Sequence, residues 1–186
     1  ISEGTAARAR IEWVVVQEGG NKTNSRIPLH EKSDWAKGFD VVAHNECFAD
    51  VKDPKWTENI VRPHREGTGA VLIHCAMHCY RTGTPDWFEF CGIQSSGHGP
   101  QKPIDVSYIE ADHPVTKTLK DWTTINEELY NNLKIFDSAK PLARGKQDTG
   151  KKVDDFVVAW TNEYGKTRVF GTTLGHNNDT VADGRY

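Results

Sequence analysis

Two histidines and two cysteines stand within six positions, at the end of an apolar run. The segment Gly69–Tyr80 reads Gly-Ala-Val-Leu-Ile-His-Cys-Ala-Met-His-Cys-Tyr. Imidazole and thiol groups serve as general bases, nucleophiles and metal ligands, so this spacing could support three kinds of chemistry. The apolar run predicts a buried strand, and open α/β sheets bind their ligands at the carboxyl ends of strands. His74 is therefore expected at the edge of the sheet where ligands bind.

His74 and Cys75 each allow a catalytic and a structural interpretation. At a sharp turn from strand to helix, His74 would act as a general base or bind a ligand. Cys75 would lie at the positive end of the helix dipole as a nucleophile. In the structural interpretation, His74 is a hydrogen-bonded core histidine and Cys75 is a small apolar filler. The residues alone leave both interpretations open.

The same segment also offers a metal-binding pattern. His74 and His78 are four residues apart and would share one face of a helix, which suits two ligands of one ion. Cys75 and Cys79 repeat that spacing about 100° further round the helix, so one ion does not easily take all four side chains. A metal here is an alternative to acid–base chemistry.

Carboxylates near His74 would complete an acid–base site. Glu46 follows a predicted strand, and Glu127 and Glu128 stand side by side before Tyr130. A carboxylate beside a histidine is the basic equipment of general acid–base catalysis. Either Glu46 or Glu128 is therefore expected to act with His74. Alternatively, Glu127 belongs to a solvated face.

Two further histidines are predicted to approach the same place. His98 stands in the Gly- and Ser-rich segment 95–99, and His176 follows the last predicted strand in the segment 174–177. Strands of an α/β sheet present their carboxyl ends at one edge, so both are predicted to converge with His74 on one cleft. Three other histidines lack this context and are interpreted as surface residues: His30, His64 and His113.

These side chains need a framework to bring them together, and the hydrophobic pattern predicts an α/β one. Residues 1–10 predict the end of a helix. The segment 54–66 predicts a helix with Asp53 as N-cap and Pro54 at its first position, although Pro63 disturbs its end. Strand, helix and strand in succession form a βαβ unit with parallel strands. Strands are predicted over 11–17, 39–44, 71–73, 104–110, 153–161 and 167–173, the last two as a hairpin.

Length and composition restrict the function classes. A chain of 186 residues suits one α/β domain, and its six Trp, seven Phe and five Tyr can build a core. The net charge of −3 gives no strong attraction to nucleic acid. No stretch approaches the roughly 18 apolar residues that a membrane span needs. The sequence leaves open whether the chain forms a homo-oligomer.

The four cysteines are predicted to be reduced, partly buried thiols. Cys75 and Cys79 are four apart at the start of a predicted helix, which is poor geometry for a disulfide between them. Reduced thiols favour a reducing compartment, but domains without disulfides also occur outside the cytoplasm. The cysteines therefore do not distinguish between a cytoplasmic, a periplasmic and a secreted location.

Six segments together resemble the ThuA-like (trehalose-utilisation) family, over about residues 11 to 178. The segments are 69–76, 97–98, 127–130, 158–161, 165–170 and 173–176. The resemblance implies a three-layer, flavodoxin-like fold of the class I glutamine amidotransferase-like superfamily, with a mostly parallel central sheet. It implies that residues 1–186 form a single ThuA-like domain that lacks the family's first strand and last helix.

The resemblance also bears on activity. It implies that His74 stands where true amidotransferases carry their nucleophilic cysteine, so glutaminase activity is not expected. Cys75 does not restore glutaminase activity, because a side chain one residue further along the turn points in a different direction. The family's carboxylate pair begins with Asp, and Glu127 stands at that position here. A role in carbohydrate catabolism is implied.

The leading hypothesis is acid–base chemistry on trehalose, a keto-sugar or a related sugar derivative. The expected catalytic residues are His74 with Glu46 or Glu128. The expected substrate-binding residues are Asn45, His98, Tyr130, His176 and Trp160, the last as a stacking wall. A non-catalytic carbohydrate-binding or structural module and a metal-dependent hydrolase using His74, His98 and His176 are the alternatives. No cofactor is predicted, and only the hydrolase alternative requires a divalent metal.

Overall fold

A mixed β-sheet with short flanking helices forms the framework. The computed structural model describes residues 2–7 and 9–186. In chain order the strands are β1 (Val41–His44), β2 (Gly69–Ile73), β3 (Ile93–Gln94), β4 (His98–Lys102), β5 (Asp105–Tyr108), β6 (Trp122–Thr123), β7 (Glu127–Tyr130), β8 (Lys134–Ile135), β9 (Ala139–Asp148), β10 (Val153–Tyr164) and β11 (Thr167–Thr172). The α-helices are α1 (Ser2–Ala6), α2 (Pro54–Glu66), α3 (Asp86–Cys91) and α4 (Asn178–Ala182), and 3₁₀ helices cover Pro28–Glu31 and His74–His78.

The main sheet has seven strands in the order β1-β2-β11-β10-β9-β5-β6. Pairing is parallel from β1 to β2 and from β2 to β11, and antiparallel across the rest of the sheet. The α/β class is confirmed, but the sheet expected to be mostly parallel is parallel at one end only. The connections between the strands explain this difference. Short turns join β9, β10 and β11, and such turns produce antiparallel pairs, whereas β1 and β2 are joined through α2.

Helix α2 shows how local sequence builds the parallel end of the sheet. Its predicted bounds are confirmed, and the Asp53 side chain accepts hydrogen bonds from the backbone N–H groups of Lys55 and Trp56. Pro63 lies within the helix, where its missing N–H leaves the carbonyl of Asn59 without its helical partner. The indole Nε1 of Trp35 donates to that carbonyl at 2.9 Å. A tertiary hydrogen bond therefore lets the helix continue through the proline.

The other helices are short. Helices α1 and α4 have five residues each, and α3 has six. Of these three, α3 packs on the main sheet through β10 and β11. Within the described part of the chain, no helix has the length and apolar character needed to cross a membrane.

Trp160 belongs to the core, which excludes its expected role as a stacking wall for sugar. Its side chain is wholly buried, and its Nε1 donates to the carbonyl of Cys91 at 2.7 Å. It packs on Gly171 of the neighbouring strand, where a Cβ would lie 2.3 Å from Trp160 Cζ2. No ligand can reach a ring packed in this way.

The predicted strand over 11–17 is wrong. These residues pair with no strand in the described structure, and Val14 and Val15 are 59% and 69% exposed. Their β-branched side chains favour an extended backbone, but a strand also needs a neighbour to accept its hydrogen bonds. The long strand β9, by contrast, was not predicted, because its sequence lacks a clear apolar alternation.

Candidate functional site

His74 begins a sharp turn directly after β2. Its φ angle is +51°, in the left-handed region that side chains other than glycine rarely adopt. Such a backbone costs about 1–3 kcal/mol and occurs most often at functional sites. The expected α-helix does not follow, because residues His74–His78 form a 3₁₀ helix. The turn projects the His74 ring toward the end of β11.

One hydrogen bond fixes the protonation pattern of this ring. His74 Nδ1 lies 2.7 Å from the carbonyl oxygen of Thr173, so the Nδ1 proton is donated there. In the neutral ring Nε2 then carries only a lone pair. This atom lies 3.4 Å from Glu128 Oε2, Tyr130 Oη and His176 Nδ1.

The ribbon formed by β4 and β7 brings the partners of His74 together. Side chains alternate along a strand, so Glu128 and Tyr130 share one face of β7. The antiparallel register places Gln101 opposite Glu128 and His98 opposite Tyr130. All four side chains therefore face one region, as the sequence predicted for His98, Glu128 and Tyr130.

Glu128 is the centre of this cluster. Its Oε2 lies 3.3 Å from His176 Nδ1 and 3.5 Å from His98 Nε2, and its Oε1 accepts a hydrogen bond from Gln101 Nε2 at 3.1 Å. The same amide donates to His176 Nε2 at 2.9 Å, so His176 carries its proton on Nδ1, toward Glu128. The convergence of His74, His98 and His176 is thus organised by a carboxylate.

Glu127 holds the loop that carries His176. Its side chain is wholly buried, and its two oxygens accept the backbone N–H of His176 at 3.0 and 3.2 Å. The interpretation of Glu127 as part of a solvated face is wrong. Sequence reasoning also missed Gln101, because its position opposite Glu128 follows from the strand register and has no signal in the sequence.

Electrostatics keep His74 and Tyr130 neutral. Burial lowers the pKa of His74, while the Thr173 carbonyl, Glu127 and Glu128 act in the opposite direction. Burial and the charge of Glu128 raise the pKa of Tyr130. Near neutral pH the site therefore offers an imidazole lone pair, a phenol proton and a carboxylate within hydrogen-bonding distance.

The same atoms are spaced to hold a metal ion, provided that the Gln101 amide turns its oxygen toward His176 Nε2 and thereby frees Nδ1 of its proton. His74 Nε2, Glu128 Oε2 and His176 Nδ1 lie 3.3 to 3.4 Å from one another. A tetrahedral zinc with bonds of about 2.0–2.1 Å separates its ligand atoms by about 3.3–3.4 Å. The donor set differs from the expected one, because Glu128 takes the place of His98.

A cavity meets this cluster at His98 alone, since none of His74, Glu128, Tyr130 and His176 lines it. This cavity of about 710 Å³ is lined by His98, Leu129, Asn131, Thr149, Lys151 and Phe156, among others. Pockets of this size accommodate small molecules. Polar, cationic and aromatic side chains together can bind a sugar or a charged sugar derivative.

Glu46, the other expected partner of His74, belongs to a separate buried network. Its Oε1 lies 2.9 Å from His44 Nδ1 and accepts the Tyr80 hydroxyl proton at 3.0 Å. His44 Nε2 contacts His64 Nε2 at 3.0 Å, and His64 Nδ1 donates to the Thr68 carbonyl at 2.8 Å. Of the described residues, none joins Glu46 to His74 by a hydrogen bond or ion pair.

This network pairs a buried histidine with a buried carboxylate. Because His64 donates through Nδ1, its Nε2 accepts the proton of His44 Nε2, and His44 Nδ1 faces Glu46. Burial acts to raise the pKa of Glu46, but the charge and hydrogen bond of His44 outweigh it and lower the pKa to about 2. Burial lowers the pKa of His64 to about 3 and that of His30 to about 4.

The interpretation of His30 and His64 as surface residues is wrong. They are 3% and 0% exposed, respectively. His30 packs edge-on against Trp35, and His64 stacks on Phe90 at 4.7 Å between ring centroids. Isolated histidines in a sequence do not reveal that aromatic residues from other elements will cover them.

Asn45 and the four cysteines lie differently from what the sequence predicted. Asn45 is exposed after β1, and no hydrogen bond in the described structure joins it to His74 or Glu128. The prediction of four reduced thiols is wrong, because Cys47 and Cys75 form a disulfide. Cys79 and Cys91 are free and buried. The two strand ends that carry Cys47 and Cys75 are neighbours only in the folded sheet.

The buried histidines predict a specific acid sensitivity. A histidine whose pKa is lowered on folding takes up its proton more readily in the unfolded chain, so stability falls as the pH drops below 6.5. His64→Gln should reduce this loss by about 1 kcal/mol per pH unit. Urea unfolding at pH 6.5, 5.5 and 4.5 measures how much unfolding free energy is lost as the pH falls. Val61→Ala changes the core without removing a titrating group, so its unfolding free energy should depend on pH as in the wild type. The same pH dependence in His64→Gln would refute the assignment.

The charge of Glu128 predicts a change in His74. Because that charge raises the pKa of His74, Glu128→Gln should lower it below the wild-type value. A pH titration of the histidine ring resonances by NMR measures the shift. Glu89→Gln, on the exposed side of α3, serves as the matched control. An unchanged or higher pKa of His74 in Glu128→Gln contradicts the assigned contact.

Comparison with known proteins agrees with this architecture. The family model described as ThuA, trehalose utilisation, matches residues 13–186. A ThuA-like protein from Bacteroides uniformis has a TM-score of 0.68 at 19% identity, covering 86% of this chain and 70% of that chain. One from Parabacteroides merdae has a TM-score of 0.69 at 18% identity, covering 98% and 74%. A β-galactosidase from Rahnella sp. R3 has a TM-score of 0.54 at 15% identity, covering 84% and 25%.

No curated protein matches the sequence. The structural similarities lie below 25% identity and establish the fold alone. The family model, however, spans nearly the whole chain, including β2, the β4–β7 ribbon and β11. The chain belongs to the ThuA (trehalose utilisation) family.

Proposed function

We propose that this protein performs acid–base chemistry on a carbohydrate, with His74 as the base and Glu128 as its partner. The observation that carries the proposal is the lone pair of His74 Nε2, held toward the Glu128 carboxylate at 3.4 Å by the Nδ1 hydrogen bond to Thr173. When Nε2 takes up a proton, the carboxylate at that distance accepts a hydrogen bond from it. Membership of the trehalose-utilisation family supports a sugar as substrate.

Each side chain has a distinct task in this proposal. His74 Nε2 removes a proton from a carbon next to the ketone of a keto-sugar, and the Glu128 charge stabilises the resulting imidazolium. The Tyr130 hydroxyl donates a hydrogen bond to the negative charge that develops on the sugar oxygen. His98 and His176 bind sugar hydroxyls. Elimination and isomerisation of a keto-sugar both begin with this proton transfer.

Further expectations accompany the proposal. The three-layer, flavodoxin-like arrangement and a single domain over residues 1–186 follow from the family resemblance and are part of the same proposal. The ligand is a small sugar derivative that reaches the cluster at its two exposed histidines, His98 and His176.

Hydrogen exchange tests the proton transfer directly. A keto-glucoside incubated with the protein in D₂O should exchange the hydrogens next to its ketone faster than in buffer, as measured by NMR. His74→Gln should lower the exchange rate by at least about 100-fold, and Glu128→Gln by about 10-fold or more. Glu89→Gln should retain the wild-type rate. Full exchange in His74→Gln, or none above buffer in the wild type, would sink the proposal.

A metal-dependent hydrolase is the second candidate, supported by the tetrahedral spacing of His74, Glu128 and His176. The ion would polarise a sugar oxygen or activate a water molecule there. Mass-spectrometric metal analysis of protein dialysed against Zn²⁺ should then find stoichiometric zinc, lost in Glu128→Gln and His176→Gln but retained in His98→Gln. Zinc uptake that does not depend on Glu128 or His176 would exclude this candidate.

A further inference from the structure

The Cys47–Cys75 disulfide joins two strand ends at the edge of the candidate site. Cys47 follows β1, Cys75 follows β2, and their Cα atoms are 5.2 Å apart. Cys47 is exposed and Cys75 is half-buried, whereas the free cysteines Cys79 and Cys91 are wholly buried. Of the four cysteines, the two in the disulfide are therefore the more accessible to a reagent in solution.

A buried histidine donates a hydrogen bond to one of these sulfur atoms. His78 is 7% exposed, and its Nε2 lies 3.0 Å from Cys75 Sγ. Its Nδ1 lies 3.1 Å from Nη2 of Arg81, which can only donate, so Nδ1 accepts. The neutral ring then carries its proton on Nε2, directed at the sulfur. A leaving thiolate at Cys75 would be stabilised by this proton and by the positive charge of Arg81.

The same geometry argues against a metal at this cluster. Cys47, Cys75 and His78 place their donor atoms close enough for one ion. A metal would need the lone pair of His78 Nε2, and a neutral ring offers it only when Nδ1 carries the proton. The Arg81 hydrogen bond occupies Nδ1 as an acceptor. A redox-active pair of sulfur atoms is therefore the better interpretation.

We propose that Cys47–Cys75 is a redox-active disulfide that is reduced by dithiols and that its state sets the placement of His74. A thiolate of the reductant attacks Sγ of the exposed residue Cys47, the S–S bond breaks, and Cys75 Sγ leaves with the electron pair toward His78 Nε2. The second thiol of the reductant then resolves the mixed disulfide and releases Cys47. The protein disulfide gains two electrons and two protons, and the dithiol is oxidised to its disulfide.

The link to His74 is the shared turn. Cys75 is the next residue after His74, and the left-handed backbone at His74 persists because its surroundings hold it there. In the oxidised protein the covalent bond to Cys47 is part of those surroundings. Reduction removes that restraint and leaves the hydrogen bond to Thr173 to hold the ring.

Differential alkylation of the full chain tests the disulfide. Protein purified without reductant should show no labelling at Cys47 or Cys75 by mass spectrometry. After treatment with dithiothreitol under native conditions, both should label, while Cys79 and Cys91 stay protected as internal controls. Free thiols at Cys47 and Cys75 before reduction would overturn the proposal. Stoichiometric zinc on the reduced pair would assign the cluster to a metal instead.

Two variants of His78 test the hydrogen bond, and a histidine NMR spectrum tests the link to His74. His78→Leu should slow reduction by about 10-fold, whereas His78→Gln, which keeps a donor, should stay near the wild-type rate. The His74 ring resonances should move on reduction in the wild type and in Cys91→Ala, and should not respond in Cys47→Ser. Equal rates of disulfide reduction in His78→Leu and His78→Gln would refute the role of the hydrogen bond. His74 resonances that do not shift on reduction of the wild type would refute the link to His74. Neither readout depends on turnover of a sugar.

Discussion

The hydrogen bond from His74 Nδ1 to the Thr173 carbonyl is the constraint on which the candidate site depends. Parallel pairing of β2 with β11 sets Ile73 beside Thr172 and so brings that carbonyl within reach of the ring. With Nδ1 committed, the lone pair of Nε2 has to face Glu128 and Tyr130. The left-handed backbone at His74 costs about 1–3 kcal/mol, which burial of the surrounding core offsets.

Two buried histidine–carboxylate networks lie at the ends of neighbouring strands, and they differ in what remains open. In the network of His44, His64 and Glu46, the ring nitrogens and the carboxylate already have partners within the core. At Glu128 the partners His98 and His176 are exposed, and a cavity adjoins His98. A closed network specifies and stabilises the fold, whereas an open one can exchange a proton or bind a ligand.

Family membership and fold limit the function to different extents. The family model assigns the chain to the ThuA family, while a comparable fold occurs within a β-galactosidase of which the match covers only 25%. A fold supports many activities, so the chemistry has to be argued from side-chain geometry. Here that geometry consists of a fixed imidazole tautomer, a carboxylate and a phenol. The Cys47–Cys75 disulfide adds a covalent restraint to the turn that carries this imidazole.

The sequence by itself determined the elements with strong local signals. Asp53 and Pro54 defined the start of α2, and the apolar run before His74 defined β2, because caps and buried runs act over a few residues. The ends of predicted strands and the family motifs together indicated His74, His98, Glu128 and Tyr130. Only the tertiary structure decided which carboxylate meets His74, which histidines are buried and which cysteines pair. Those contacts join residues far apart in the chain, and strand order and register, which set them, leave no local signature.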